Sequence, residues 1–193
     1  MHRPSRLLRR AFASVTVLAL GQLAAQQLAE REGLGPRPYE PRLQWWAEAR
    51  FGLFVHWGPV SLKGTEIGWS RGKQVPVEEY DQLYERFDPR HFDADEWARV
   101  AKAAGVRYLV LTTKHHDGFC LWDSELTDYT IAHTPFLRDV TKELADACRA
   151  QGLVFCAYHS ICDWHHPDYP LGSPGGSTQK PKPDLDRYER YLK

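Results

Sequence analysis

Beyond its N-terminus, no stretch of this sequence is apolar over the roughly 20 residues that a bilayer-spanning helix needs. Stable membrane insertion is therefore not expected. No excess charge of one sign exists either: 25 Lys and Arg face 25 Asp and Glu. Without a basic patch or stripe, nothing supports nucleic-acid binding. Cysteine is scarce. Cys120, Cys148, Cys156 and Cys162 show no C-x-x-C spacing, so neither a zinc–cysteine site nor an obligatory disulfide framework is expected. Cys148 falls on a helical face and Cys156 within a strand, as small core residues do. The H-E-x-x-H and His-x-His spacings of common metal sites are missing too.

The one short apolar run, residues 11–20, follows Arg3, Arg6, Arg9 and Arg10 and leads to Ala24 and Ala25. A positive region, a short apolar region and small residues at the exit describe a secretory signal over residues 1–25. The Arg9-Arg10 pair hints at a twin-arginine version. Residues 26–38 are polar and read as a linker, which leaves 39–193 as the folded part. An exported protein, periplasmic or extracellular, is the expectation. Aromatic residues are plentiful, with seven Trp and nine Tyr. Such rings suit sugar faces, cores and interfaces alike.

The most informative stretch is Lys114-His115-His116-Asp117-Gly118-Phe119, which closes the β-branched apolar run 108–113. The run has no helical period and reads as a strand buried on both faces. Neighbouring strand residues point to opposite faces, so both histidines reach one pocket only if the strand ends there. Active sites of parallel α/β proteins lie at such carboxyl ends. Two further apolar runs end in the same way, 51–56 in His56-Trp57 and 153–158 in Tyr158-His159.

Between these strands come capped helical patterns. Asp93 with Glu96 three residues later is a capping signature. Trp97, Val100, Ala101 and Ala104 then form a stripe, and Gly105 ends the helix. The plan repeats with Asp139 as cap, Val140, Leu144, Ala147 and Cys148 on one face, and Gly152 as the stop. Helix, Gly, strand, polar end, twice over, predicts a parallel α/β sheet with right-handed crossovers. Residues 78–87 carry Tyr80, Leu83, Tyr84 and Phe87 at helical spacing. Asp184 caps a last helix with Leu185, Tyr188 and Leu192. The loop 59–77, with Glu66, Trp69, Arg71 and Lys73, is long enough to suggest function.

The motifs at 51–58, at 114–119 with Trp122, and at 158–160 with Asp163-Trp164 resemble the α-L-fucosidases of glycoside hydrolase family 29, from about Trp45 to the end of the chain. The resemblance implies a (β/α)8-like barrel that removes α-linked fucose with retention through a covalent intermediate on an Asp. On it, this chain is a partial TIM-like barrel, its first three or so βα units, cut short inside a helical pattern at Lys193. His56, His115 and His116 match the histidines of the family's fucose pocket, Tyr158 its tyrosine and Trp69 its tryptophan. In many relatives a Glu directly precedes that Trp. Here Gly68 stands in that place, and Glu66 is a candidate substitute.

Imidazoles suit hydroxyls because a neutral ring donates at one nitrogen and accepts at the other. Hydrolysis with retention needs two carboxyl groups about 5–5.5 Å apart. The resemblance puts both the nucleophile Asp and the acid/base beyond Lys193, so no catalytic residue is expected within the chain. The implied partner is a fucosylated glycan, with no cofactor. Two other readings stay open. His56, His115, His116, His159, His165 and His166 with Asp163 could supply a zinc or iron site in a metal-dependent hydrolase, or the chain could be a non-catalytic sugar-binding fragment.

Overall fold

The computed structural model describes residues 40–173, 180 and 182–192. The expected signal (1–25) and linker (26–38) lie outside the described residues. Among the described residues, no helix is long and apolar enough to cross a membrane. The chain divides into two units, 1–47 and 48–193. A 3-10 turn, Pro41–Leu43, lies in the first, with proline at the start where its missing N–H costs nothing, and α1 (Gln44–Ala49) follows it in the chain.

The second unit is built on three parallel strands, β1 (Gly52–Val55), β2 (Tyr108–Lys114) and β3 (Val154–His159), in the order β1-β2-β3. The crossover from β1 to β2 carries α2 (Val77–Asp81) and α3 (Ala94–Ala103). The crossover from β2 to β3 carries α4 (Val140–Gln151), and α5 (Leu185–Leu192) follows β3. The α/β class and the helix–strand alternation are those expected from the sequence.

Register sorts the strand residues into two faces. Leu53, Leu109 and Phe155 align across the sheet, as do Phe54, Val110 and Cys156. Leu109 and Leu111 are fully buried in one core with Ala98, Ala101, Val140 and Leu144 of the helices. Each such leucine contributes about 1.5–3 kcal/mol by leaving water. The opposite face is open: Phe54 is 50% exposed and Val154 44%. The lower half of β2 is therefore covered on one face only, and full burial of both faces holds only from Thr112 upward. At the foot of that open face, a Cβ on Gly52 would lie 2.3 Å from the Tyr108 ring, so the glycine leaves room for its cross-strand neighbour.

The helix caps form as expected. Asp93 accepts from the Glu96 amide and Asp139 from the Lys142 amide, and Gly152 takes the left-handed conformation that ends α4. Val140, Leu144, Ala147 and Cys148 are all buried. In α3 the expected stripe is wrong by a fraction of a turn. Ala94, Ala98 and Ala101 are buried, whereas Val100 is 51% exposed. Small residues let α3 approach its neighbours closely, and Trp97 packs at the edge, 5.4 Å from Trp57 and 5.1 Å from Phe92. The helix expected over 78–87 is interrupted: α2 stops at Asp81 and a 3-10 turn, Leu83–Arg86, takes over. The tighter turn keeps Tyr80, Leu83 and Phe87 buried. In α5, Tyr188 is buried as expected but Leu185 is exposed.

Near its end β2 gains an extra residue. Thr112 pairs with Tyr158 and Lys114 with His159, leaving Thr113 as a bulge, the usual way a strand end is re-aimed.

Candidate functional site

The turn that follows β2 is held by charges beneath it. Lys114, with no exposed surface, reaches Asp163 at 3.0 Å. Asp163 also accepts from Tyr191 at 3.2 Å and from the amides of His165 and His166 at 3.0 and 2.8 Å. Such full satisfaction is what makes a buried ion pair tolerable. Gly118, at φ +85°, is required here, because a Cβ would lie 2.3 Å from the Asp163 carboxylate. Asp117 accepts from the Tyr80 hydroxyl at 2.6 Å. Burial pushes its carboxyl up to about 6, against the stabilising effect of that bond. Phe119 enters the core. Thus in the Lys-His-His-Asp-Gly-Phe stretch every residue except the two histidines is committed to structure.

The histidines stand above this base. Their rings lie 4.3 Å apart, and His115 is 5.6 Å from His56 and 6.0 Å from Tyr158. Tyr158 is 6.5 Å from His56. His159 turns the other way, toward Trp122 at 5.6 Å, as alternation along β3 requires. A cleft of about 370 Å³ is bounded by His56, Thr65, Glu66, Ile67, Trp69 and His115. Trp69, 41% exposed, forms its rim and meets His116 edge-on at 5.6 Å. The six residues singled out from the sequence thus gather at the carboxyl ends of β1, β2 and β3.

Three contributors figured in the sequence only as parts of motifs or as a departure from one, not as site residues. Trp164 packs against both Trp69 (5.2 Å) and His116 (5.1 Å). Ser160 bonds the His116 Nδ1 at 2.6 Å. Gly68, at φ +69°, lies so close to His115 that a Cβ would be 2.5 Å from its Nδ1. The Gly68 amide donates to Tyr80, which donates to Asp117, and this ties the Trp69 loop to the turn after β2. In the same loop a bidentate ion pair joins Arg71 to Asp81, Nε and Nη2 each at 2.6 Å.

Burial first, then the neighbouring His116 and His56, lower the His115 imidazole to about 4. Burial lowers His116 as well. Both are neutral at pH 7, so the cleft presents uncharged donors and acceptors, with Glu66 the one carboxylate on its wall among the described residues. Asp117 and Asp163 are committed elsewhere. Among the described residues, no three His, Cys, Asp or Glu side chains converge as a metal site requires.

The family model described as alpha-L-fucosidase matches residues 25–192. The tissue alpha-L-fucosidase of Homo sapiens is 32% identical over 202 residues, covering 91% of this chain and 43% of that protein. The mouse (Mus musculus) enzyme is 34% identical over 169 residues, covering 74% and 37%. Among solved structures, alpha-L-fucosidase isoenzyme 1 from Paenibacillus thiaminolyticus matches with a TM-score of 0.71 and 43% identity, over 79% of this chain and 38% of that one. The fucosidase AlfC from Lactobacillus casei, in complex with its alpha-L-fucose product, matches with a TM-score of 0.63 and 36% identity, over 73% and 49%. The chain therefore spans about two fifths of the length of the curated relatives, 37% of the mouse protein and 43% of the human one.

Proposed function

The chain belongs to the alpha-L-fucosidase family, and on that premise we propose that it forms the fucose-recognition part of a retaining glycoside hydrolase acting on fucosylated glycans. The observation that carries this reading is the gathering of His56, His115, Trp69 and Glu66 around one aromatic-rimmed cleft at the carboxyl ends of parallel strands, with Tyr158 beside His115. Neutral imidazoles and a phenol match the three hydroxyls of a deoxy sugar, and Trp69 offers an apolar surface for a ring face or methyl group. A hydroxyl missing from the ligand leaves a buried donor unpaired, at about 1–3 kcal/mol.

The half-exposed inner face of the sheet, with Phe54 and Val154, supports a further proposal, that these strands are the first three of a (β/α)8 barrel whose other strands cover that face. The nucleophile and acid/base are then placed on later strands. The carboxylates nearest the histidines support this: Asp117 serves Tyr80 and Asp163 serves Lys114, so neither is free to act in a catalytic pair. Export by an N-terminal signal belongs to the same proposal and rests on the arginine-rich start and short apolar run. Terminal sequencing of protein from the producing cell checks it, an intact Met1 on soluble cytosolic protein being the adverse result.

The test of function is to compare the 193-residue chain with a product that continues past Lys193. The short chain should bind L-fucose weakly and leave an aryl α-L-fucoside intact, and the longer one should hydrolyse it. Strong fucose release by the short chain would make Asp117 or Asp163 the nucleophile. Absence of fucose binding by either would end the reading.

A further inference from the structure

Each adjacent histidine at the cleft has one ring nitrogen already assigned by its surroundings, and the two assignments are opposite. The Ser160 hydroxyl lies 2.7 Å from the Cys162 carbonyl oxygen and 2.6 Å from His116 Nδ1. A hydroxyl has one proton to give. If it went to the imidazole, two oxygens would face each other at 2.7 Å with no hydrogen between them. The arrangement that satisfies both contacts has Ser160 donating to Cys162 and accepting from a protonated His116 Nδ1. The free nitrogen of neutral His116 is then Nε2, an acceptor. Ser160 is itself buried, with its amide bonded to the Lys114 carbonyl at 2.9 Å, so this geometry is anchored to the end of the sheet.

At His115 the argument runs through Gly68. His115 Nδ1 is buried and has no hydrogen-bond partner among the described residues. The space in front of it is taken by Gly68, where a Cβ would stand 2.5 Å from Nδ1 and 2.9 Å from Cε1. The glycine C–H that points along that direction meets the nitrogen instead. A lone pair accepts such a C–H contact weakly, while an N–H would collide with it and be left without an acceptor. The proton of neutral His115 therefore sits on Nε2, which is a donor. Gly68 is held in place from behind, its amide donating to Tyr80 at 2.8 Å and Tyr80 donating to Asp117.

The structure assigns His115 and His116 to opposite tautomers, with Ser160 and Gly68 as the positioning residues, so that the pair offers one donor and one acceptor. Only a group that both gives and takes a hydrogen bond satisfies both rings. A hydroxyl does; a carboxylate only accepts and an ammonium group only donates. A ligand group that meets both free nitrogens is therefore selected as a hydroxyl over a charged group, which deepens the fucose-binding reading and rests on it for the identity of the ligand.

Long-range ¹H–¹⁵N correlation of the imidazole nitrogens at neutral pH tests the assignment without any ligand, with the rings identified from His115→Gln and His116→Gln. The expected result is protonated Nδ1 at His116 and protonated Nε2 at His115. The same tautomer in both rings, or Nε2–H at His116, would overturn it. Ser160→Ala should turn His116 into a tautomer mixture and weaken L-fucose binding about three- to tenfold, the equivalent of one neutral hydrogen bond. Ser160→Thr, which keeps the hydroxyl, should restore both. An unchanged His116 tautomer in Ser160→Ala would also overturn the role of Ser160. Opposite tautomers with no fucose binding would leave the assignment standing and remove the fucosidase reading.

Discussion

Replacing Gly68 with alanine tests the packing behind the cleft at one atom's cost. Gly68 sits at φ +69°, where an L side chain is strained by about 1–2 kcal/mol. The added Cβ would lie 2.5 Å from His115 Nδ1. The other atom there belongs to a ring held among His116, His56 and Tyr158, so the loop has to move. Movement breaks the 2.8 Å bond from the Gly68 amide to Tyr80 and leaves a buried hydroxyl short of a donor, a further loss of about 1–3 kcal/mol. The sum is about 2–5 kcal/mol. For a chain of this size each kcal/mol moves Tm by about 2–4 °C, so Gly68→Ala should melt about 4–20 °C below the parent. Thermal unfolding followed by near-UV circular dichroism, which reports the Trp69–Trp164 pair, measures it. His115 should titrate nearer 6.5 once its buried edge is opened. Gly68→Glu, which inserts the residue that many relatives carry before the Trp, should be worse still and should not tighten L-fucose binding. A Gly68→Ala protein that melts within about 2 °C of the parent, with His115 unmoved, refutes the close approach of Gly68 to His115.

Other perturbations probe the same base. His115 is lowered to about 4 by burial and then by His116 and His56, so between about 4 and 6.5 the unfolded chain binds a proton that the fold does not. Stability at this residue is complete above 6.5 and lost as pH falls through the window. The full effect is about 3 kcal/mol, reduced to about 2 because the cleft opens to solvent. Asp117, raised to about 6, acts with the opposite sign, so denaturant stabilities of parent and His115→Gln should be compared from pH 7 to 4; a pH-independent difference refutes the assignment. Asp163→Asn leaves Lys114 charged, buried and without its carboxylate, and should cost about 3–5 kcal/mol, whereas the double replacement Lys114→Met with Asp163→Asn should recover much of the loss in urea unfolding. Tyr80→Phe removes the bond that partly offsets Asp117 burial, so the Asp117 carboxyl should titrate above its present value by carboxyl NMR, with a stability loss of about 1–3 kcal/mol.

Several features of this protein are local and were legible in the chain alone. The caps at Asp93, Asp139 and Asp184 and the stop at Gly152 each need only neighbours three or four residues away, and all are present. The β-branched run 108–113 and its polar ending predicted where the strand stops, and with it the gathering of His56, His115, His116 and Tyr158. Where distant segments compete for the same surface, the pattern was insufficient. Val100 fits a helical stripe as well as Ala98 does, and only close approach of α3 to its neighbours selects the smaller residue. The helix over 78–87 lost its second half to a 3-10 turn because Leu83 and Phe87 had to reach different cores. Lys114 stands beside the two histidines in sequence but serves as a buried ion-pair partner. Its partner Asp163 is 49 residues away, and no periodicity reports a pairing at that distance. The same holds for Gly68, whose value depends on His115, and for Ser160, whose hydroxyl sets which nitrogen of His116 is free. Side-chain type and spacing determined which groups could enter the cleft. Which atom of each group faces it was decided only by contacts between segments far apart in the chain, because a hydrogen bond is specified by position in space and not by order in sequence.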